Sequence, residues 1–114
     1  MEKQYVYIGR HVNHKNEFFD NYYKLGRTKQ YKIRETQLTN TNGPYDYLCI
    51  RVFETDDMAR TETLLQTCFE DYRVIKKYKD RKDIKTEWFY VEDEEKLHNR
   101  IDTIISLFDN VTEV

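Results

Sequence analysis

The 114 residues suffice for one domain with a core of a few strands and helices, and are too few for two independent ones, so residues 1–114 read as a single domain. A formal net charge of −2 excludes a stand-alone, tight nucleic-acid binder, since affinity for the phosphate backbone comes largely from Lys and Arg displacing counterions. No apolar run approaches the roughly 18 residues of a membrane span or forms a signal-peptide core, so the expected setting is intracellular, without a membrane partner.

In chain order, Tyr5-Val6-Tyr7-Ile8 alternates in the period of a strand, predicted over about residues 4–9. The polar stretch 10–20, with His11, Asn13, His14 and Asn16, reads as a hairpin loop into a second, antiparallel strand, Tyr22-Tyr23-Lys24-Leu25-Gly26. Thr28 can cap a helix over about 30–39 that puts Tyr31, Arg34 and Leu38 on one face. Asn40-Thr41-Asn42-Gly43-Pro44 stops it, and 47–53 forms a third strand with Leu48, Ile50 and Val52 on one side. Thr55 or Asp56 is the expected cap of a helix over about 57–72, with apolar face Met58, Leu65, Phe69 and Tyr72 and with Leu64 and Cys68 beside it.

Residues 73–85 read as a lysine-rich loop, 87–91 as a short last strand, and 93–108 as an amphipathic helix carrying Leu97, Ile101, Ile104, Ile105 and Phe108. The order implies an α/β (α+β) sandwich: a small antiparallel three-stranded sheet, with room for a short extra strand, flanked by helices. Ten Tyr, six Phe and one Trp point to an aromatic-rich core, with Trp88-Phe89 as an anchor. Cys49 and Cys68 match no ligand or disulfide framework and read as reduced, buried thiols; His11, His14 and His98 read as surface residues.

Charge is unevenly spread. Residues 73–85 carry seven cations against Asp80 and Asp83, whereas 92–114 carry seven acids against Lys96 and Arg100. Two charges also fall on apolar faces: Arg34 between Tyr31 and Leu38, and Glu62 on the stripe of Met58, Leu65 and Phe69. A buried carboxylate is costly unless offset. In one arrangement the two pair with each other or sit at the stripe edge with their heads in water. In the other they converge beside Tyr7 and Tyr23, with Glu62 holding a divalent cation and Arg34 facing a phosphate.

Tyr5-Val6-Tyr7, Tyr23-Lys24-Leu25-Gly26, Arg34 eight residues after that glycine and a helical Glu62 together resemble the GIY-YIG nuclease superfamily. Gly26-Arg27-Thr28, Gln37-Leu38-Thr39-Asn40, Asp57-Met58-Ala59-Arg60 and Thr86-Glu87-Trp88-Phe89 are similar to its phage- and virus-associated DNA-binding branch. The likeness covers about residues 4–91. It implies a Mg²⁺- or Mn²⁺-dependent DNA endonuclease encoded by a virus or mobile element, acting in the cytoplasm or nucleus of a host cell.

By that resemblance Tyr7 takes a proton from the attacking water, Tyr23 orients water or phosphate, Arg34 stabilises phosphoryl charge and Glu62 binds the metal. Lys24, Arg27, Lys29, Lys32, Lys76 and Lys77 are the expected DNA-backbone contacts. A phenol of ordinary pKa near 10 is almost wholly protonated at neutral pH, so the role given to Tyr7 requires nearby positive charge. Leu38 stands where several members of that superfamily carry a histidine, and the last strand has Glu87-Trp88 where many carry an asparagine. Two alternatives follow: a DNA-binding module that has lost cleavage, and a protein-interaction or host-antagonist domain. The acidic balance implies targeting by self-association or by another chain.

Overall fold

Period-two alternation carries the first strand well past its apolar opening. In the computed structural model, which describes residues 3–13, 21–39 and 45–114, β1 runs Gln4–Asn13. It is followed by β2 (Tyr22–Thr28), α1 (Tyr31–Thr39), β3 (Tyr45–Thr55) and α2 (Met58–Cys68). A 3-10 turn at Glu70–Tyr72 leads to β4 (Arg73–Lys76), β5 (Ile84–Tyr90), α3 (Glu94–Ile105) and β6 (Val111–Glu113). His14, most of the expected hairpin loop and the 40–44 stop signal lie outside the described residues.

The fold is α+β, but among the described residues its sheet has six strands in the order β4-β5-β2-β1-β3-β6, every pair antiparallel, rather than three. Polar residues hid the additional pairing. Arg10 is buried against Tyr23, its Nη1 donating to the Tyr23 hydroxyl at 2.8 Å, so residues 10–13 continue β1 along the start of β3. Within the basic run, Val74 and Ile75 supply β-branched positions for β4, which pairs with a β5 that begins three residues before the expected 87. β6 is short and clamped: Arg51 donates to Glu113 at 2.9 Å and to Asp102 of α3 at 2.6 Å.

A bulge between Ile8 and Gly9 breaks the expected Leu48-Ile50-Val52 face. Val52 packs with Tyr7 and Tyr47 on one side of the sheet, Ile50 lies against the core on the other, and Leu48 is exposed. The helices divide accordingly. α2 and α3 cover Val6, Ile8, Tyr23, Leu25, Phe53 and Phe89 with Leu65, Phe69, Leu97 and Ile101. α1 covers the other face, where Tyr7, Tyr47 and Val52 pack with Tyr31, Leu38 and Trp88.

The cap of α2 is Asp57, not Thr55 or Asp56, because the Asp57 carboxylate accepts from Arg60 N at 3.2 Å and satisfies a free first-turn donor. α1 buries no residue fully and is tied to β3 by polar side chains. Glu35 accepts from Cys49 N at 2.8 Å, and Thr39 Oγ1 accepts from Tyr47 N at 2.8 Å. Cys49 is a half-buried free thiol whose pKa burial, then Glu35, pushes up to about 12; Cys68, at the end of α2, is exposed. No helix among the described residues is long and apolar enough to cross a membrane.

Adjacent leucines on α2 test the layer assignment. Leu65 is wholly buried and Leu64 is 39% exposed. Leu65→Ala should cost about 2–5 kcal/mol in urea denaturation, and Leu64→Ala within about 0.5 kcal/mol of zero.

Candidate functional site

Register decides which motif residues can meet. Tyr7 lies opposite Gly26 and Gly9 opposite Lys24, so Tyr7, Lys24 and Gly26 share the face covered by α1. Gly26 is needed there: a Cβ on it would overlap the hydroxyl and ring of Tyr7, which crosses directly above its backbone. The ring thereby points toward α1, where Arg34 Nε donates to the Tyr7 hydroxyl at 3.4 Å and Arg34 Nη1 to Gln37 Oε1 at 3.3 Å. Tyr5, in edge contact with Tyr31 at 5.1 Å, seats the start of that helix.

Tyr23 is not part of this group. Three positions from Gly26, an odd number, it faces the α2/α3 core, fully buried and held by Arg10.

The sheet has a gap beside Lys24. β5 pairs with β2 only through Tyr22–Tyr90, Tyr23–Phe89 and Lys24–Trp88. The Leu25 carbonyl just beyond accepts instead from Gln66 Nε2 of α2 at 2.9 Å. Gln66 and Glu62 lie one turn apart on α2, so the bond that satisfies Leu25 also aims Glu62 at the opening. Among the described residues Glu62 Oε2 is buried without a hydrogen-bond partner, Arg27 Nε forming an ion pair with it at 4.0 Å, too distant to donate. Arg34 and Glu62 are therefore not each other's partners.

From the β5 side, Glu87 closes the cluster. Its carboxylate lies 3.7 Å from Lys24 Nζ and acts electrostatically on Tyr7, Arg34 and Glu62 as well. Burial, then Glu87, raises the pKa of Glu62, against Arg27 and Lys24. Burial lowers that of Lys24, with Glu87 opposing and Arg34 adding to the shift. Burial raises that of Tyr7 despite the Arg34 bond, so the positive charge nearby does not turn this phenol into a base at neutral pH. Lys24, Arg27 and Arg34 against Glu62 and Glu87 leave the cluster with one net positive charge.

In the sequence Glu87 stands only within the Thr86-Glu87-Trp88-Phe89 segment and at a departure from a motif, with no role at the site. The usable signal was its position beside Trp88, the strand partner of Lys24. Among the described residues no group of three or more His, Cys, Asp and Glu is arranged to hold a metal. Glu62 and Glu87 are the two carboxylates at the gap, a donor set that suits Mg²⁺, which takes one or two carboxylates and completes its shell with water or phosphate oxygens. The buried Glu62 oxygen, with no hydrogen bond among the described residues, fits that use.

The remaining predicted contacts are dispersed. Lys29 and Lys32 are exposed at the start of α1, and Lys76 and Lys77 lie at the end of β4. His11 and His98 are half-buried, not surface residues: His11 stacks on Trp88, and His98 lies within 3.5 Å of both Arg51 and Glu94.

The matching family model is the T5orf172 domain, over residues 4–108, and the chain belongs to that family. This corrects the assignment to the GIY-YIG superfamily, and the match also takes in α3, which the earlier likeness left out. No curated protein and no solved structure gave a match to the chain.

Two outcomes follow from this geometry. Gly26→Ala should destabilise the protein by about 1–3 kcal/mol, and Arg34→Ala should then add little, because the Tyr7–Arg34 contact is already lost; urea denaturation of the four-protein cycle measures this. Because the folded pKa of Glu62 is raised, the folded state keeps a proton that the unfolded state releases near pH 4, about the unfolded value. Stability then falls as pH climbs from there through the folded pKa. Glu62→Gln should remove that fall, gaining on the wild type from about pH 4 to neutrality in melts across pH.

Proposed function

We propose that this domain engages DNA phosphodiesters at the β2–β5 gap and hydrolyses them with a divalent cation, Mg²⁺ or Mn²⁺. Membership of the T5orf172 family supports a DNA-associated, nuclease-like role. The observation that carries the reading is the convergence of Arg34, Lys24 and a buried Glu62 oxygen without a hydrogen bond among the described residues on one opening with a net positive charge. Surplus positive charge, a guanidinium and an available carboxylate are what an anionic ester with a metal requires.

In this mechanism Arg34, held in place by Tyr7 and Gln37, faces the non-bridging phosphate oxygens. The fully buried Tyr7 hydroxyl accepts from Arg34 and fixes the direction of the guanidinium, a positioning role in keeping with its raised pKa. Glu62, with Glu87 beside it, would hold the cation, which would supply polarisation of a phosphoryl oxygen. Glu87, exposed at the rim, accepts the proton of the attacking water as the new P–O bond forms and the bond to the departing sugar oxygen breaks, that oxygen taking its proton from solvent water. Arg27, Lys29, Lys32, Lys76 and Lys77 follow the flanking backbone. With a net charge of −2 the chain binds DNA weakly by itself, and a second copy or a targeting protein raises its local concentration.

Leu38, an apolar side chain packed beside Tyr7 where a proton-handling group would stand, favours a second reading, a DNA-binding module without cleavage. Incubation with supercoiled plasmid and branched DNA in Mg²⁺ decides between them. Nicking that drops at least about 100-fold in Arg34→Ala and in Glu62→Ala is expected, and full activity in either variant contradicts these roles. A salt-dependent gel shift without nicking in Mg²⁺ or Mn²⁺ selects the module.

A further inference from the structure

The sheet face that carries Lys24 continues into an open cavity of about 380 Å³, lined by His11, Tyr22, Val74, Lys76, Thr86 and Trp88. Ring surface dominates it. The Trp88 indole and the His11 imidazole are stacked, 5.2 Å between centroids and 13° between planes, and Tyr47 meets both edge-on from behind. At the other border Tyr22 packs on Tyr90 with centroids 5.0 Å apart. The Trp88 backbone is fixed, because Thr86 Oγ1 accepts from Trp88 N at 3.1 Å while donating to Val74 O at 2.8 Å.

Phe89 is the core anchor that the sequence led us to expect of the pair; Trp88, on the opposite face, is only half-buried. A half-buried tryptophan held rigid in an open, cation-edged cavity has the makings of a stacking platform.

Register gives the distance to the phosphate cluster. Trp88 is the strand partner of Lys24, and Tyr22 is the next residue on that face of β2, one same-face step or about 7 Å along the strand. His11 lies two such steps, about 13 Å, from Tyr7 along β1. A nucleotide whose phosphate lies against Lys24 and Arg34 can thus lay its own base, or that of its neighbour, on the Trp88–His11 stack, with Lys76 at the rim facing the next phosphate.

We infer that the cavity walled by Trp88 and His11 is a nucleobase subsite, which makes the preferred substrate DNA with an unpaired base next to the engaged phosphate: a single strand, flap or junction. This rests on the DNA reading above. In a closed duplex the base faces are stacked on one another and not offered to the indole.

Trp88 is the only tryptophan, so the fluorescence of the unaltered protein reports on the subsite. The experiment titrates the protein, in EDTA at low salt, with a dye-labelled single-stranded oligonucleotide and with an abasic oligonucleotide of equal length and charge. Dye anisotropy reports binding, and a parallel unlabelled titration follows Trp88. The base-bearing strand should quench Trp88 and bind about 5- to 150-fold more tightly than the abasic one, which should leave the emission unchanged. Lys76→Ala should weaken both strands alike and lower the salt slope by about one while preserving the quenching. Equal binding of both strands with no quenching overturns the subsite and leaves the backbone reading standing. Binding of neither strand overturns both.

Discussion

Tyr7 reaches Arg34 because its ring lies across a backbone that has no side chain. With any Cβ at residue 26 the ring must swing away, and the hydroxyl on which Arg34 rests is withdrawn. The same close approach keeps β1 and β2 flush up to the Lys24–Trp88 pair, where β5 leaves β2 and the sheet opens. α2 then enters the account from the other face: Gln66 satisfies the carbonyl that β5 abandons, and Glu62, one turn earlier, is carried to the opening. Residues from both faces of a sheet meet only where the sheet is interrupted.

Charge balance at the gap explains why the arrangement is both costly and useful. Two carboxylates beside one another are tolerated because Lys24 and Arg27 lie close, but neither cation donates a hydrogen bond to the inner oxygen of Glu62. That oxygen is a standing desolvation cost, the kind of local inconsistency that marks sites retained for use rather than for stability. The rest of the molecule offsets it conventionally, with two hydrophobic layers and an Arg51 clamp joining β3, α3 and β6.

Much of this was legible before any coordinates. The long apolar stripes of α2 and α3 are unambiguous in a period of 3.6, and the charges interrupting apolar faces singled out Arg34 and Glu62. What failed did so for identifiable reasons. The sheet exceeded three strands because the basic run hides β4 and the three residues of β6 are too few to show an alternation, while the polar Arg10 and His11, which pack inward, hid the length of β1. Tyr23 was grouped with Tyr7 by motif, whereas strand parity relative to Gly26 sends it to the other face. Glu87 was given no role at the site, since its contribution comes from neighbours brought together by the fold. The family itself was misread because short aromatic-glycine pairs are shared widely, while the T5orf172 match draws on residues 4–108.

The central claim is that Glu62 and Glu87, from different elements, face each other across one opening. NMR titration of the Glu62 side-chain carboxyl, in the wild type and in Glu87→Gln, tests it without DNA or metal. The account predicts a raised pKa in the wild type that moves down toward the ordinary carboxylate range when the Glu87 charge is removed. A Glu62 pKa unmoved by that substitution would mean that the two carboxylates do not share a site.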